Sequence, residues 1–224
     1  MVINAPSLAN VSFLDMGNAV KELTESGVSF FHIDIMDGHY VPNLCFPPSL
    51  VRDIKQKYPK VTAEVHMMVD NPMDYVKILK EYGADWVSFH LDSTRFVRRT
   101  LGAIRELGMK AGVVINPSQP IELLKPVLPW LDYVVFMSVE PGFSGQRFMP
   151  GSMERLEELC RLRAETGLDF KILIDGGVSY EVGLQAARLG ADILVTGIYM
   201  IFQQPDGLAG ACRRFEETFR SLSE

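Results

Sequence analysis

Along this chain, short β-rich apolar runs alternate with longer stretches whose apolar residues recur at helical spacing. The β-rich runs are VINAPSL, SFFHIDIM, VTAEVHMM, DWVSFH, KAGVVIN, DYVVFMSV, KILIDG and ADILVTG. Helical spacing shows in LDMGNAVKELTESG and DYVKILKEYGAD, which end in Gly as helix stops do. PGSMERLEELCRLRAETG carries Pro150 near its start and Gly167 after its end, the expected asymmetry. EVGLQAARLGAD and PDGLAGACRRFEETFRSL continue the series, the last running to Leu222. Eight strands with helices between them in 224 residues predict an α/β fold, one (β/α)8 TIM barrel, as a single domain over residues 1–224. An open doubly wound sheet is the alternative; it is weakened because no G-x-G-x-x-G follows the first strand.

A barrel of this kind does its chemistry at the C-terminal ends of its strands. Side chains alternate faces along a strand. In FHIDIM, Ile33 and Ile35 form the face toward the helices, so His32, Asp34 and Met36 point into the barrel mouth. In AEVHMM, Glu64, His66 and Met68 share a face by the same rule. In KILIDGG, Ile172 and Ile174 pack outward and Asp175 points inward. Buried carboxylates need partners. Two imidazoles and two carboxylates on rigid strand ends, His32, Asp34, His66 and Asp175, are a suitable shell for one divalent transition metal: Zn, Mn, Fe or Co. Asp37 falls on the opposite face from Asp34 and reads as a residue that shapes the turn out of the strand. His39, His90 and Asn116 read as residues that line the mouth or support it.

Glycines gather at the same end of the barrel. Gly142 and Gly145 in VEPGFSGQRF follow the sixth strand, Gly176 and Gly177 the seventh, and Gly197 the eighth. Such loops turn backbone N–H groups toward an anion, and the loops after strands seven and eight are the usual phosphate cradle of this barrel.

Composition narrows the partners. Apolar residues make up 47% of the chain, and the net charge of −6 is spread without a basic tract, which speaks against nucleic acid and anionic membranes. The apolar runs are too short to span a membrane, and MVINAPSLAN lacks the basic region and apolar core of a secretion signal. Cys45, Cys160 and Cys212 fit neither a zinc motif nor a disulfide framework, and read as free thiols of a cytoplasmic protein.

In order along nearly its whole length, the chain resembles the ribulose-phosphate 3-epimerase family. The segments that carry the resemblance are APSLA, HIDIMDGHYVPN, VHMMVDNP, FH at the fourth strand, INPSQP, MSVEPGFSGQRF, IDGGV and GAD. The second-strand motif together with the Pro-Gly-Phe-x-Gly-Gln loop is highly specific. The resemblance implies a metal-dependent isomerase of carbohydrate metabolism, in the pentose phosphate pathway, that inverts C3 of D-ribulose 5-phosphate to give D-xylulose 5-phosphate. It implies Asp34 and Asp175 as the acid/base pair, one ionised and one protonated, working through an enediolate. It further implies Ser7 as a substrate contact, and Met36, Met68 and Met137 as an apolar wall beneath the sugar. The phosphate would rest on Gly142, Phe143, Ser144 and Gly145, on Gly176 and Gly177, and on the loop at Gly197 and Ile198. Family members often self-associate, so a homo-oligomer is implied as well.

Two positions depart from the family pattern. Ile198 stands where the family usually has Ser, which removes a hydroxyl donor from the phosphate loop. Glu64 stands where the family more often has Asp, so if it orients the neighbouring imidazole its extra methylene must be absorbed. Ser144, in a loop that is usually Gly-Gly, is a milder change. Other readings are D-allulose 6-phosphate as the substrate, or a non-catalytic sugar-phosphate binder. A Schiff-base aldolase needs an inward Lys near the mouth, and Lys171 lies at the wrong end of its strand.

Overall fold

The computed structural model describes residues 2–220. Its eight strands are β1 (Ile3–Pro6), β2 (Phe30–Met36), β3 (Thr62–Met68), β4 (Trp86–His90), β5 (Lys110–Ile115), β6 (Tyr133–Met137), β7 (Lys171–Asp175) and β8 (Ile193–Thr196). All neighbours pair in parallel, in the order β1-β8-β7-β6-β5-β4-β3-β2. The ring closes between β1 and β2 through one isolated bridge, Ser7 to His32. The expected eight-stranded barrel is present, with every strand where the alternation pattern placed it.

Seven α-helices cover the barrel among the described residues: α1 (Met16–Glu25), α2 (Ser49–Lys57), α3 (Met73–Glu81), α4 (Val97–Glu106), α5 (Ser152–Thr166), α6 (Tyr180–Leu189) and α7 (Gly207–Arg220). The expected end of the last helix at residues 221–222 lies outside the described residues. The crossover from β5 to β6 departs from the strict repeat. It has two 3-10 turns, Ile121–Leu124 and Leu128–Trp130, in place of an α-helix. Pro117, Pro120, Pro126 and Pro129 fall within this segment, and a proline inside a helix removes a hydrogen bond and clashes with the preceding turn.

The alternation holds in three dimensions. Phe31, Ile33 and Ile35 of β2 and Ile172 and Ile174 of β7 are buried in the layer between strands and helices. Inside the barrel, Tyr133, Val135, Leu173, Ile193 and Val195 form a separate apolar cluster. Phe30 meets Trp86 there edge to face, and Trp86 meets Tyr133 at a tilt, with ring centroids 5.4 and 4.8 Å apart along the series. The barrel is thus plugged by aromatic rings at its N-terminal end, and the presumed ligands stand at its C-terminal mouth.

Candidate metal centre and active site

Strand register builds the centre. In the β2–β3 pair His32 lies beside Glu64 and Asp34 beside His66; in the β6–β7 pair Met137 lies beside Asp175. His32 Nε2 is 3.1 Å from Asp34 Oδ1 and 3.5 Å from Asp175 Oδ2. His66 Nδ1 is 3.3 Å from Asp34 Oδ1 and 3.4 Å from Asp175 Oδ2. One donor atom from each of the four side chains therefore lies within 4.8 Å of every other. His66 Nδ1 is buried and makes no hydrogen bond of good geometry, although two carboxylates face it. The four imidazole–carboxylate separations, 3.1 to 3.5 Å, are close to the ~3.4 Å edge of a tetrahedron with bonds of ~2.0–2.2 Å, and the donor set suits a divalent transition metal. The cluster can hold a metal ion.

Each ligand imidazole is steadied through its other nitrogen. His32 Nδ1 lies 2.6 Å from Glu64 Oε2; a carboxylate only accepts, so the ring donates. Glu64 Oε1 accepts from the Ser88 and Tyr133 hydroxyls at 3.1 and 2.9 Å. Glu64 therefore orients His32, not the His66 ring two residues away, and its extra methylene is taken up in reaching across the β2–β3 pair. His66 Nε2 is 2.9 Å from Nε2 of buried His90. Burial, then His66, depresses the pKa of His90, so its ring is neutral and can accept from His66.

Burial alone would depress the His32 imidazole, but the carboxylates of Asp34, Glu64 and Asp175 outweigh it and hold its pKa well above the ordinary value. His66 is raised in the same way by Asp175 and Asp34 against its burial. Burial would raise Asp34, yet His32 and His66 hold it far below the usual carboxylate range. Asp175 is lowered against burial by the same two rings, with Asp34 pushing in the opposite direction. Both carboxyls are thus held low, in place of the one-high, one-low split expected from sequence. Raised imidazoles bind protons that a metal must displace, so metal affinity should rise with pH. Chelator-competition titrations at pH 6 and pH 8 should give an apparent affinity at least about tenfold higher at pH 8; a flat profile would contradict the assignment of both rings as ligands.

The mouth above these residues is an open cleft. Ser7, Asn10, Asp34, Met36, His66, Met68, Met137 and Asp175 line its floor and one wall. Gly142, Phe143, Ser144, Gly145, Gly176, Gly177, Gly197 and Ile198 line the other wall. The polar and glycine positions singled out in the sequence therefore meet in one place, with His32 beneath. No Lys or Arg is among the described residues that line it. An anion on this wall would be met by backbone N–H groups, as a glycine-rich nest provides.

Local interactions set these loops. Ser7 Oγ donates to Asp34 Oδ2 at 2.9 Å. Ser138 fixes the end of β7, its N–H donating to the Asp175 carbonyl at 2.8 Å and its Oγ lying 2.8 and 2.6 Å from the Asp175 and Gly176 carbonyls. Ser179 Oγ accepts the Val182 N–H and caps α6 just after the glycine pair. Asp37 accepts the N–H groups of His39, Tyr40 and Asp70, which makes it the loop-shaping residue its parity suggested. His39 is exposed beside Asp37. Asn116 donates to the Tyr40 hydroxyl and is not among the residues lining the cleft. Tyr199, not singled out from sequence, donates to the Gly145 carbonyl at 3.0 Å and so ties the eighth loop to the sixth. Lys171 begins β7, at the far end from the mouth.

A family model described as "Ribulose-phosphate 3 epimerase family" matches residues 3–201. The chain belongs to the ribulose-phosphate 3-epimerase family. It is 38% identical to the ribulose-phosphate 3-epimerase of Synechocystis over 92% of this chain and 89% of that one. Identity to the Escherichia coli protein of that name is 38%, over 90% of this chain and 89% of that one. To the Bacillus subtilis one it is 36%, over 88% and 91%. The epimerase family makes the protein an isomerase of carbohydrate metabolism. Among solved structures, KGPDC from Streptococcus mutans superposes with a TM-score of 0.76 over 100% of this chain and 99% of that one, at 14% identity, a likeness of fold alone. No helix among the described residues of this epimerase-family chain is long and apolar enough to cross a membrane.

Proposed function

We propose that this chain inverts C3 of D-ribulose 5-phosphate to give D-xylulose 5-phosphate, using one divalent transition metal held by His32, Asp34, His66 and Asp175. The observation that carries the reading is the placement of two carboxylates on β2 and β7, both within 3.5 Å of one pair of buried imidazoles and both facing a glycine-lined cleft. A proton on carbon beside a ketone is weakly acidic, and inversion requires its return from the opposite face. One base gives exchange without inversion, so two groups are required across the planar enediolate.

The pair carries one shared proton as the substrate enters. Asp34 is the base, because Ser7 donates to it and favours its ionised form. Asp175 is the partner that must carry the proton: the His32 and His66 rings hold its carboxyl low, and the Asp34 charge is the one neighbour that works in the other direction. Asp34 removes the C3 proton from one face and Asp175 delivers its own to the other. The bond that breaks at C3 on one face is replaced by a C–H bond on the other, and the proton has changed sides within the pair. Met36, Met68 and Met137 exclude water beneath the sugar and offer no group that would divert the proton. The metal, when bound, supplies Lewis-acid polarisation of the keto oxygen and balances the negative charge that develops there. Backbone N–H groups of the three glycine loops hold the phosphate end.

Metal analysis of the purified protein, combined with parallel assays of D-ribulose 5-phosphate and D-allulose 6-phosphate, tests this. The expected result is about one transition-metal ion per chain and turnover of the five-carbon sugar. Conversion of the six-carbon sugar alone would move the substrate to D-allulose 6-phosphate, a reading that Ile198 in the eighth loop favours because it alters the phosphate end. Protein that holds no metal and exchanges no C3 proton with deuterated water would be a binder.

A further inference from the structure

We propose that Glu64, braced by Tyr133 and Ser88, is the positioning residue that makes His32 a metal donor, and that Gly112 is required because Tyr133 fills the space of its missing side chain. The proposal rests on the reading of His32 as a ligand. His32, Glu64, Ser88 and Tyr133 are all fully buried. Glu64, Ser88 and Tyr133 come from inward positions of β3, β4 and β6, with Glu64 beside His32 in the β2–β3 register. As a metal ligand the His32 ring is neutral and has one proton to place. Glu64 Oε2 at 2.6 Å takes the Nδ1 proton, which leaves the Nε2 lone pair aimed at Asp34 and Asp175. A carboxylate behind a ligating imidazole fixes its tautomer and raises its basicity.

Glu64 is itself held from two sides. Tyr133 and Ser88 both donate to Oε1, so the carboxylate is turned with Oε2 toward the ring. Tyr133 reaches this position only by lying over β5. In the β5–β6 register it pairs with Gly112. A Cβ on Gly112 would sit 2.5 Å from Tyr133 Cε1 and 2.6 Å from Cζ, well inside contact distance. Any side chain at 112 would therefore displace the ring whose hydroxyl steadies Glu64. Gly112 touches neither the ligands nor the cleft, yet the chain of contacts runs from it to His32 through Tyr133 and Glu64. The long Glu side chain and the glycine are two halves of one arrangement.

The test uses Co²⁺ as the probe, read by chelator competition and by the visible absorption of the loaded protein. Glu64→Gln should weaken Co²⁺ binding by about ten- to a hundredfold and shift the absorption bands. Tyr133→Phe, which loses only a hydroxyl, should weaken it less, and Gly112→Ala should weaken it without touching any ligand. A role confined to packing would lower thermal stability and leave affinity and spectrum alone. Should Glu64→Gln fail to fold, Tyr133→Phe decides. Folded Glu64→Gln or, failing that, Tyr133→Phe with wild-type affinity and an unchanged spectrum would overturn the proposal. Wild-type protein that takes up no Co²⁺ would instead overturn the reading of the metal centre.

Discussion

Replacing Asp175 with Asn is expected to reduce epimerisation by at least about 10³-fold, the scale of a lost acid/base group. Asn has the shape of the carboxyl but cannot supply the proton. Asp34 and its Ser7 hydrogen bond stay in place, so the first half of the reaction remains possible. The variant should therefore exchange the C3 proton of the substrate with deuterated water while returning it to the same face. NMR of recovered substrate separates the two activities, since exchange without inversion labels the sugar and leaves its configuration unchanged. The variant also loses a charged ligand. The assay is accordingly run at saturating metal, so that the missing proton is measured and not a missing ion. Full activity of Asp175→Asn would sink the two-carboxylate mechanism.

Gly177→Ala should be the most damaging single methyl group in the glycine wall. Gly177 has φ +62°. A Cβ there would lie 2.2 Å from the Phe148 nitrogen, 2.7 Å from the Arg147 carbonyl carbon and 2.9 Å from the Gln146 oxygen. All three atoms are backbone, so no rotamer change relieves the clash. The loops after β6 and β7 would have to part. The expected cost is roughly 2–4 kcal/mol from strain and overlap together. For a chain of this size that is a fall in Tm on the order of 5–15 °C. Because the same loops line the cleft, KM for the phosphorylated sugar should rise by at least about tenfold, the equivalent of one lost good interaction. Gly167→Ala is the control: its φ is +65°, but nothing lies within 4 Å of the added carbon. It should cost about 1 kcal/mol in conformation alone and leave KM unchanged. Equal effects at the two sites would show that the close approach of the two loops does not matter.

The strands and the candidate site were legible for one reason. A two-residue period fixes which side chains face inward, and His32, Asp34, Glu64, His66 and Asp175 all obeyed it. Helices were less legible. α2 buries only Val51 and Ile54 in nine residues, and α4 only Thr100, Leu101 and Ile104 in ten, so each apolar stripe is narrow and set in a mostly polar segment. The fifth crossover lost its helix to four prolines that were visible in the sequence, but the rhythm of the repeat masked them. The partner of Glu64 was beyond the reach of sequence because it depends on register. A carboxylate two residues from His66 lies one strand away from His32, and only the pairing of β2 with β3 says so. Parity does place Ser88 and Tyr133 inside the barrel; what it does not reveal is that a glycine at 112 opens the space between them. Likewise, the depression of both aspartates follows from two imidazoles facing each of them, a distance effect with no sequence signature.

The ring of hydrogen bonds is thinnest at one seam. Between β1 and β2 a single bridge joins Ser7 to His32, and both belong to the centre. Closure is what spares a barrel the bare strand edges that recruit other chains. The four presumed ligands come from β2, β3 and β7, so a cation gripped by them spans the seam, with β8 and β1 held in the arc between. With a cation bound, the proposed catalytic centre would also be the clasp of the fold. Whatever parts β1 from β2 draws Ser7 away from Asp34 and bares two strand edges in the same movement, so an opened barrel is inactive and adhesive at once.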